Sequence, residues 1–189
     1  MESFVASATL VAFAEIGDKT QLLSLCLAAR FRRTTPILAG IALATIAHHG
    51  LAGAAGAWVS DILPAHVLRF AVGASFLLLA AWALRSDAVD GLDAAPGSGH
   101  GAFLASLGSF FLAEMGDKTQ LATVALTARF DALAPVVFGS VVGMMAVAVP
   151  TVLFGSLAAE RLPLRPIRLL AAALFGALGV AALLSGAVG

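Results

Sequence analysis

Apolar residues fill six long stretches of the chain, and polar residues are crowded into the gaps between them. The stretches run roughly from Phe4 to Ala29, Pro36 to Val59, Val67 to Leu84, Ala102 to Ala128, Pro135 to Ala158 and Ile167 to Val188. Each is long enough to cross the hydrocarbon core of a bilayer as a helix. None shows the long polar face that a helix on a soluble bundle turns to water. The pattern predicts an all-α membrane protein of six transmembrane helices. Most connectors are short, as at Arg30–Pro36 and Asp61–Pro64. The longest, 86–100, holds Asp87, Asp90 and Asp93, then Pro96, Gly97, Ser98 and Gly99. It is too polar to bury a core and reads as a linker.

Composition agrees with the pattern. Of 189 residues, 60% are hydrophobic and 12% charged, against about 25% charged in a soluble domain. Mean hydropathy is +1.00. Formal net charge is zero and no basic tract is present, so nucleic acid is not expected as a partner. Cys26 is the single cysteine, which excludes an internal disulfide and argues against a structural zinc site. The first residues, Met1-Glu2-Ser3-Phe4, lack the positive charge that opens a secretory signal, so the first stretch is expected to be retained.

The linker separates two copies of one pattern. Residues Ala14 to Leu22 read Ala-Glu-Ile-Gly-Asp-Lys-Thr-Gln-Leu and recur from Ala113 to Leu121 with only Ile16 changed, to Met115. The same offset of 99 pairs Arg30 with Arg129, Pro36 with Pro135, Gly40 with Gly139, Pro64 with Pro163 and Arg69 with Arg168. The chain therefore reads as a duplicated three-helix unit, 1–85 and 101–189, joined by 86–100. Because three is odd, the two units are expected to have inverted topology. With both termini outside, the inner loops hold Arg30, Arg32, Arg33, Arg85, Arg161, Arg165 and Arg168, and the outer side only Arg69 and Arg129. That distribution obeys the positive-inside bias and points to a multi-pass protein of the cell (inner) membrane.

The repeated motif carries the candidate chemistry. Glu15, Asp18, Lys19, Glu114, Asp117 and Lys118 place six ionisable groups at membrane depth. At roughly 2.5–3.5 kcal/mol each, inserting them bare would cost on the order of 15–20 kcal/mol. Such groups face a cavity or one another. On an unbroken helix, Glu15 and Asp18 share a face, Lys19 follows Glu15 at the spacing of an ion pair, and Gln21 extends the stripe. Gly17 and Gly116 permit close helix approach or a local break. Two acids and one lysine per motif leave a formal charge of −2 over both copies, which one divalent cation neutralises. Oxygen donors from Glu15, Asp18, Gln21, Glu114, Asp117 and Gln120, supported by Thr20 and Thr119, suit Mg, Ca or Mn better than Cu or Zn.

Other polar groups carry two readings each. Lys19 and Lys118 could be resting counter-ions that release the acids when metal arrives; a snorkelling or structural-pair role is preferred, and they are not counted as ligands. His48 and His49 have Val147 and Ala148 at the offset, so they are placed outside the shared site; cavity lining or helix bonding is preferred to a proton relay or a further metal ligand. Met144 and Met145 are read as packing.

The doubled Glu-x-Gly-Asp-Lys-Thr-Gln sequence, at Glu15 to Gln21 and Glu114 to Gln120, resembles the defining motif of the GDT1 family, also called the TMEM165 group. The resemblance covers essentially the whole chain. It implies a secondary transporter that carries Mn2+ and Ca2+ in exchange for protons, with small bacterial members similar to manganese exporters. Carried onto this chain, it makes Glu15, Asp18, Glu114 and Asp117 the functional acids. No resident cofactor is expected; the ion is cargo, and the partners are lipid, divalent cation and protons. Carboxylates crowded together can exchange protons as well as metal. Two other classes compete: an exporter of another small solute such as a cationic amino acid, and an intramembrane enzyme using paired carboxylates. The enzyme reading lacks a deep arginine and any HExxH or GxSxG motif. A structural membrane subunit is a third.

Overall fold

Gly17 and Gly116 split the first and fourth apolar stretches. In the computed structural model, which describes residues 1–85, 101–154 and 164–185, the described residues form eight helices and no strands. They are α1 (Glu2–Glu15), α2 (Lys19–Phe31), α3 (Thr34–Ile62), α4 (Ala65–Ala83), α5 (Ala102–Ala113), α6 (Lys118–Phe130), α7 (Leu133–Phe154) and α8 (Leu164–Leu184). The single helices expected over Phe4–Ala29 and Ala102–Ala128 are therefore pairs of half-helices, α1/α2 and α5/α6. With 14 residues, α1 is about 21 Å long, short of the roughly 30 Å of a bilayer core. Among the described helices, four (in α3, α4, α7 and α8) are long and apolar enough to cross a membrane. The linker expected over 86–100, Arg161, Pro163 and the far ends of the fifth and sixth stretches lie outside the described residues.

The chain ends its helices the same way in both halves. Arg32 and Asp131, 99 residues apart, both turn left-handed, with φ 49° and 48°. Their N–H groups bond back to Ala28 O and Thr127 O, satisfying carbonyls that a helix end leaves open. Pro64 caps the start of α4, where its missing N–H does no harm.

The longest helices, α3 and α7, pack against each other; α1 lies on α7, α5 on α3, and α4 on α8. Close approach comes from missing side chains. A Cβ on Gly40 would lie 2.6 Å from Phe103 O, and one on Gly139 would collide with Phe4 O and Ser7 Oγ. Equivalent glycines thus seat α5 on α3 and α1 on α7. Gly53 meets Leu133 and Val137 in the same manner, bringing the far half of α3 to the start of α7. Two apolar clusters fill the interior: one around Leu10, Phe76, Leu126 and Phe175, the other around Leu27, Ile41, Phe110 and Val152. Leu51, Leu78, Leu112 and Phe138 are two-thirds exposed or more. Large bare side chains of this kind face hydrocarbon comfortably and water poorly.

Candidate functional site

Each motif forms the joint between two half-helices. α1 ends at Glu15, Ile16 is extended, Gly17 takes φ +80° and Asp18 caps α2. Gly116 takes φ +75° and Asp117 caps α6. Positive φ is readily available only to glycine, so the motif's glycine makes the break. The joint exposes backbone groups that lipid could not satisfy, and the motif satisfies them itself. Asp18 Oδ1 accepts from Lys19 N–H at 2.8 Å. Asp117 Oδ2 accepts from the N–H and hydroxyl of Thr119, both at 3.2 Å. Gln21 Oε1 accepts from Gly17 N–H at 2.8 Å, and Gln120 Oε1 from Gly116 N–H at 3.0 Å.

Gln21 and Gln120, expected as cation ligands on a continuous polar stripe, turn their oxygens onto the backbone of their own joints, and an amide oxygen bonded to one N–H keeps a second lone pair. Helical spacing does not apply across a broken helix, so the stripe does not form.

Three of the four expected acids converge, and Asp18 lies outside that group. Carboxylate oxygens of Glu15, Glu114 and Asp117 all lie within 4.8 Å of one another. Glu15, Asp18, Glu114 and Asp117 are buried, the least so at 4% exposed. Thr20 donates its hydroxyl to Glu15 Oε2, while Glu15 Oε1 and Glu114 Oε1 are buried with no hydrogen-bond partner among the described residues. Buried carboxylate oxygens are costly unless something compensates them. Oxygens about 4–5 Å apart are also the separation at which a Ca2+- or Mn2+-sized ion, with bonds of about 2.1–2.6 Å, bridges opposed ligands.

The lysines are crossed between halves. Lys118 Nζ lies 3.1 Å from Asp18 Oδ2, and Lys19 Nζ 3.4 Å from Asp117 Oδ1. The expected pairing of Lys19 with Glu15 inside one motif is not what forms, because Glu15 and Lys19 belong to different helices. Lys118, 5% exposed, does not snorkel. Asp18 and Lys118 also border a narrow cleft that runs to Arg85 and Arg168, at the end of α4 and the start of α8.

His48, which has no counterpart in the other half, touches the second motif. Its Nε2 lies 2.8 Å from Phe111 O, its Nδ1 contacts Gln120 Nε2, and its ring packs on Phe111 at 4.5 Å between centroids. Phe111 O is one of the carbonyls that the end of α5 leaves without a helical partner. The consistent arrangement has Nε2–H donating to that carbonyl and Nδ1 accepting from Gln120. In the first half the matching glutamine, Gln21, donates to Thr151 Oγ1 at 3.4 Å. His49 Nδ1 bonds Thr123 Oγ1 at 2.8 Å, and Thr123 meets Ser140 at 3.0 Å, so His49 ties α3 to α6 and α7. The only sequence signal for His48 was a polar ring inside an apolar stretch. Met144 is buried and Met145 packs at the edge of the second cluster, as read.

Comparison with known proteins completes the description. The family model described as "Divalent cation/proton antiporter GDT1" matches residues 3–91 and 102–189. A protein of Vibrio cholerae described as "Putative manganese exporter" is 48% identical over 176 residues, covering 93% of this chain and 87% of that protein. A GDT1-like protein of Synechocystis is 28% identical over 198 aligned positions, covering 93% of each. No solved structure matches the chain.

Proposed function

This chain belongs to the GDT1 family of divalent cation/proton antiporters, and we propose that it exports Mn2+, Ca2+ or both from the cytoplasm in exchange for protons. As a member of that family it is a membrane transporter of divalent cations and not an enzyme. The observation that carries the finer reading is the meeting of Glu15, Glu114 and Asp117 from opposite halves, with buried oxygens of both glutamates left without partners.

In this reading Glu15, Asp18, Glu114 and Asp117 hold the cation, and Gln21, Gln120, Thr20 and Thr119 hold the joints that aim them. No resident cofactor takes part. Each half-helix pair makes one crossing, giving six crossings in two inverted units, 1–85 and 101–189, joined by 86–100. Support comes from the glycine seams. The start of α1 lies by the start of α7, the start of α5 by the start of α3, and α3 and α7 run in opposite senses. The two motifs then enter the site from opposite faces, as alternating access requires. The arginine distribution favours both termini on the outer side of the cell membrane.

The test is ion flux in proteoliposomes under an imposed pH gradient, with Mn2+ and Ca2+ followed separately. Glu15→Gln, Glu114→Gln and Asp117→Asn should each lower Mn2+ flux by about 100-fold or more. Wild-type flux in those variants would refute the assignment. Competition by a cationic amino acid, with no metal flux, would favour the solute reading instead.

A further inference from the structure

We propose that Lys19 and Lys118 are surrogate cations: in the unloaded carrier each ammonium holds an aspartate of the opposite half, and the transported ion must displace it. The inference rests on the cation site proposed above and names how that site is kept when no metal is present.

Three observations carry it. The first is that the lysines and the incoming ion address the same side chains. Lys19 Nζ lies 3.4 Å from Asp117 Oδ1, and Asp117 is one of the three acids whose oxygens converge within 4.8 Å. Lys118 Nζ lies 3.1 Å from Asp18 Oδ2, in the same joint as Glu15. The second is chemical. An ammonium offers three donors and no acceptor, so it cannot ligate a metal; beside the carboxylates it can only compete with one. The third is the crossing itself. A lysine that served only to neutralise its own motif would pair within its own half. Here each aspartate is held by the other half's lysine, so both pairs span the interface that alternating access has to open. Lys19, 30% exposed at its side chain, has room to withdraw from Asp117. Displacing the ammoniums therefore loads the ion and unties the halves in one event, and an unloaded carrier stays tied.

The experiment measures Mn2+ binding by calorimetry on the purified full chain in detergent, together with Mn2+ exchange in proteoliposomes. Lys118→Met and Lys19→Met remove the charge and keep most of the stem; Lys118→Arg keeps the charge. Removing a competing positive charge a few ångströms from the site should tighten Mn2+ binding about tenfold. The maximal exchange rate should fall, because no ammonium is then left at that aspartate to help displace the departing ion. Lys118→Arg should keep wild-type affinity. A purely structural pair predicts the opposite sign, with both Met variants binding Mn2+ as weakly as wild type or more weakly and unfolding at lower temperature; that result overturns the proposal. If Lys118→Met does not fold, Lys19→Met decides by the same criterion, and failure of both to fold also overturns it. Absence of Mn2+ and Ca2+ binding and flux in the wild type would instead remove the transport reading on which the proposal stands.

Discussion

Thr20 donates its hydroxyl to Glu15 Oε2 over 2.7 Å, tying the start of α2 to the end of α1 across the break. The bond fixes one oxygen of Glu15, while the other is buried without a hydrogen-bond partner among the described residues. Its repeat partner does something else, since Thr119 turns its hydroxyl to Asp117. A hydrogen bond to a charged acceptor contributes about 1.5–3 kcal/mol. Thr20→Val, nearly isosteric, should therefore raise the KM for Mn2+ by about tenfold or more, and Thr20→Ser should restore it. Proteoliposome flux at graded Mn2+ concentrations reads both.

His48 holds the second joint from outside the repeat pattern. Its removal leaves Phe111 O and Gln120 Nε2, which meet it in part-buried contacts, without the partners they have now. Each unsatisfied buried group costs about 1–3 kcal/mol. His48→Ala should lower the thermal unfolding midpoint in detergent and slow exchange. His48→Gln carries both a donor and an acceptor and should recover much of each. Equal loss in the two variants would show that imidazole shape, not hydrogen bonding, is what the joint needs.

Gly116 separates backbone strain from crowding. Nothing lies within 4 Å of where its Cβ would be, yet its φ is +75°. Gly116→Ala should cost about 1–2 kcal/mol from the left-handed backbone alone, and Gly116→Asn less, because asparagine tolerates that region. Gly50, inside α3 with equally open space and no positive φ, is the control. Gly50→Ala should be neutral or stabilising by up to about 1 kcal/mol. Thermal unfolding of the three variants ranks the effects.

Much of the site was legible in the sequence because it is written twice. The 99-residue offset singled out Glu15, Asp18, Glu114 and Asp117, and hydropathy located α3 and α4, and the starts of α7 and α8, within a few residues. What it did not disclose were relations between halves. Apolar periodicity cannot show that a helix stops for three or four residues and resumes, although Gly17 and Gly116 allowed it. Spacing along one chain pairs Lys19 with Glu15, whereas the observed partner, Asp117, is 98 positions away in sequence. Symmetry hid His48, because a repeat argument discards whatever only one copy possesses.

The crossed ion pairs bind the two copies of the motif into a common fate. A substitution at Lys19 is felt by Asp117, and one at Lys118 by Asp18, so neither copy can drift at these positions without injuring its sibling. The apolar surroundings, where a side chain of about the right size serves as well as another, have been free to diverge, and a duplication that is worn elsewhere is still sharp at its centre.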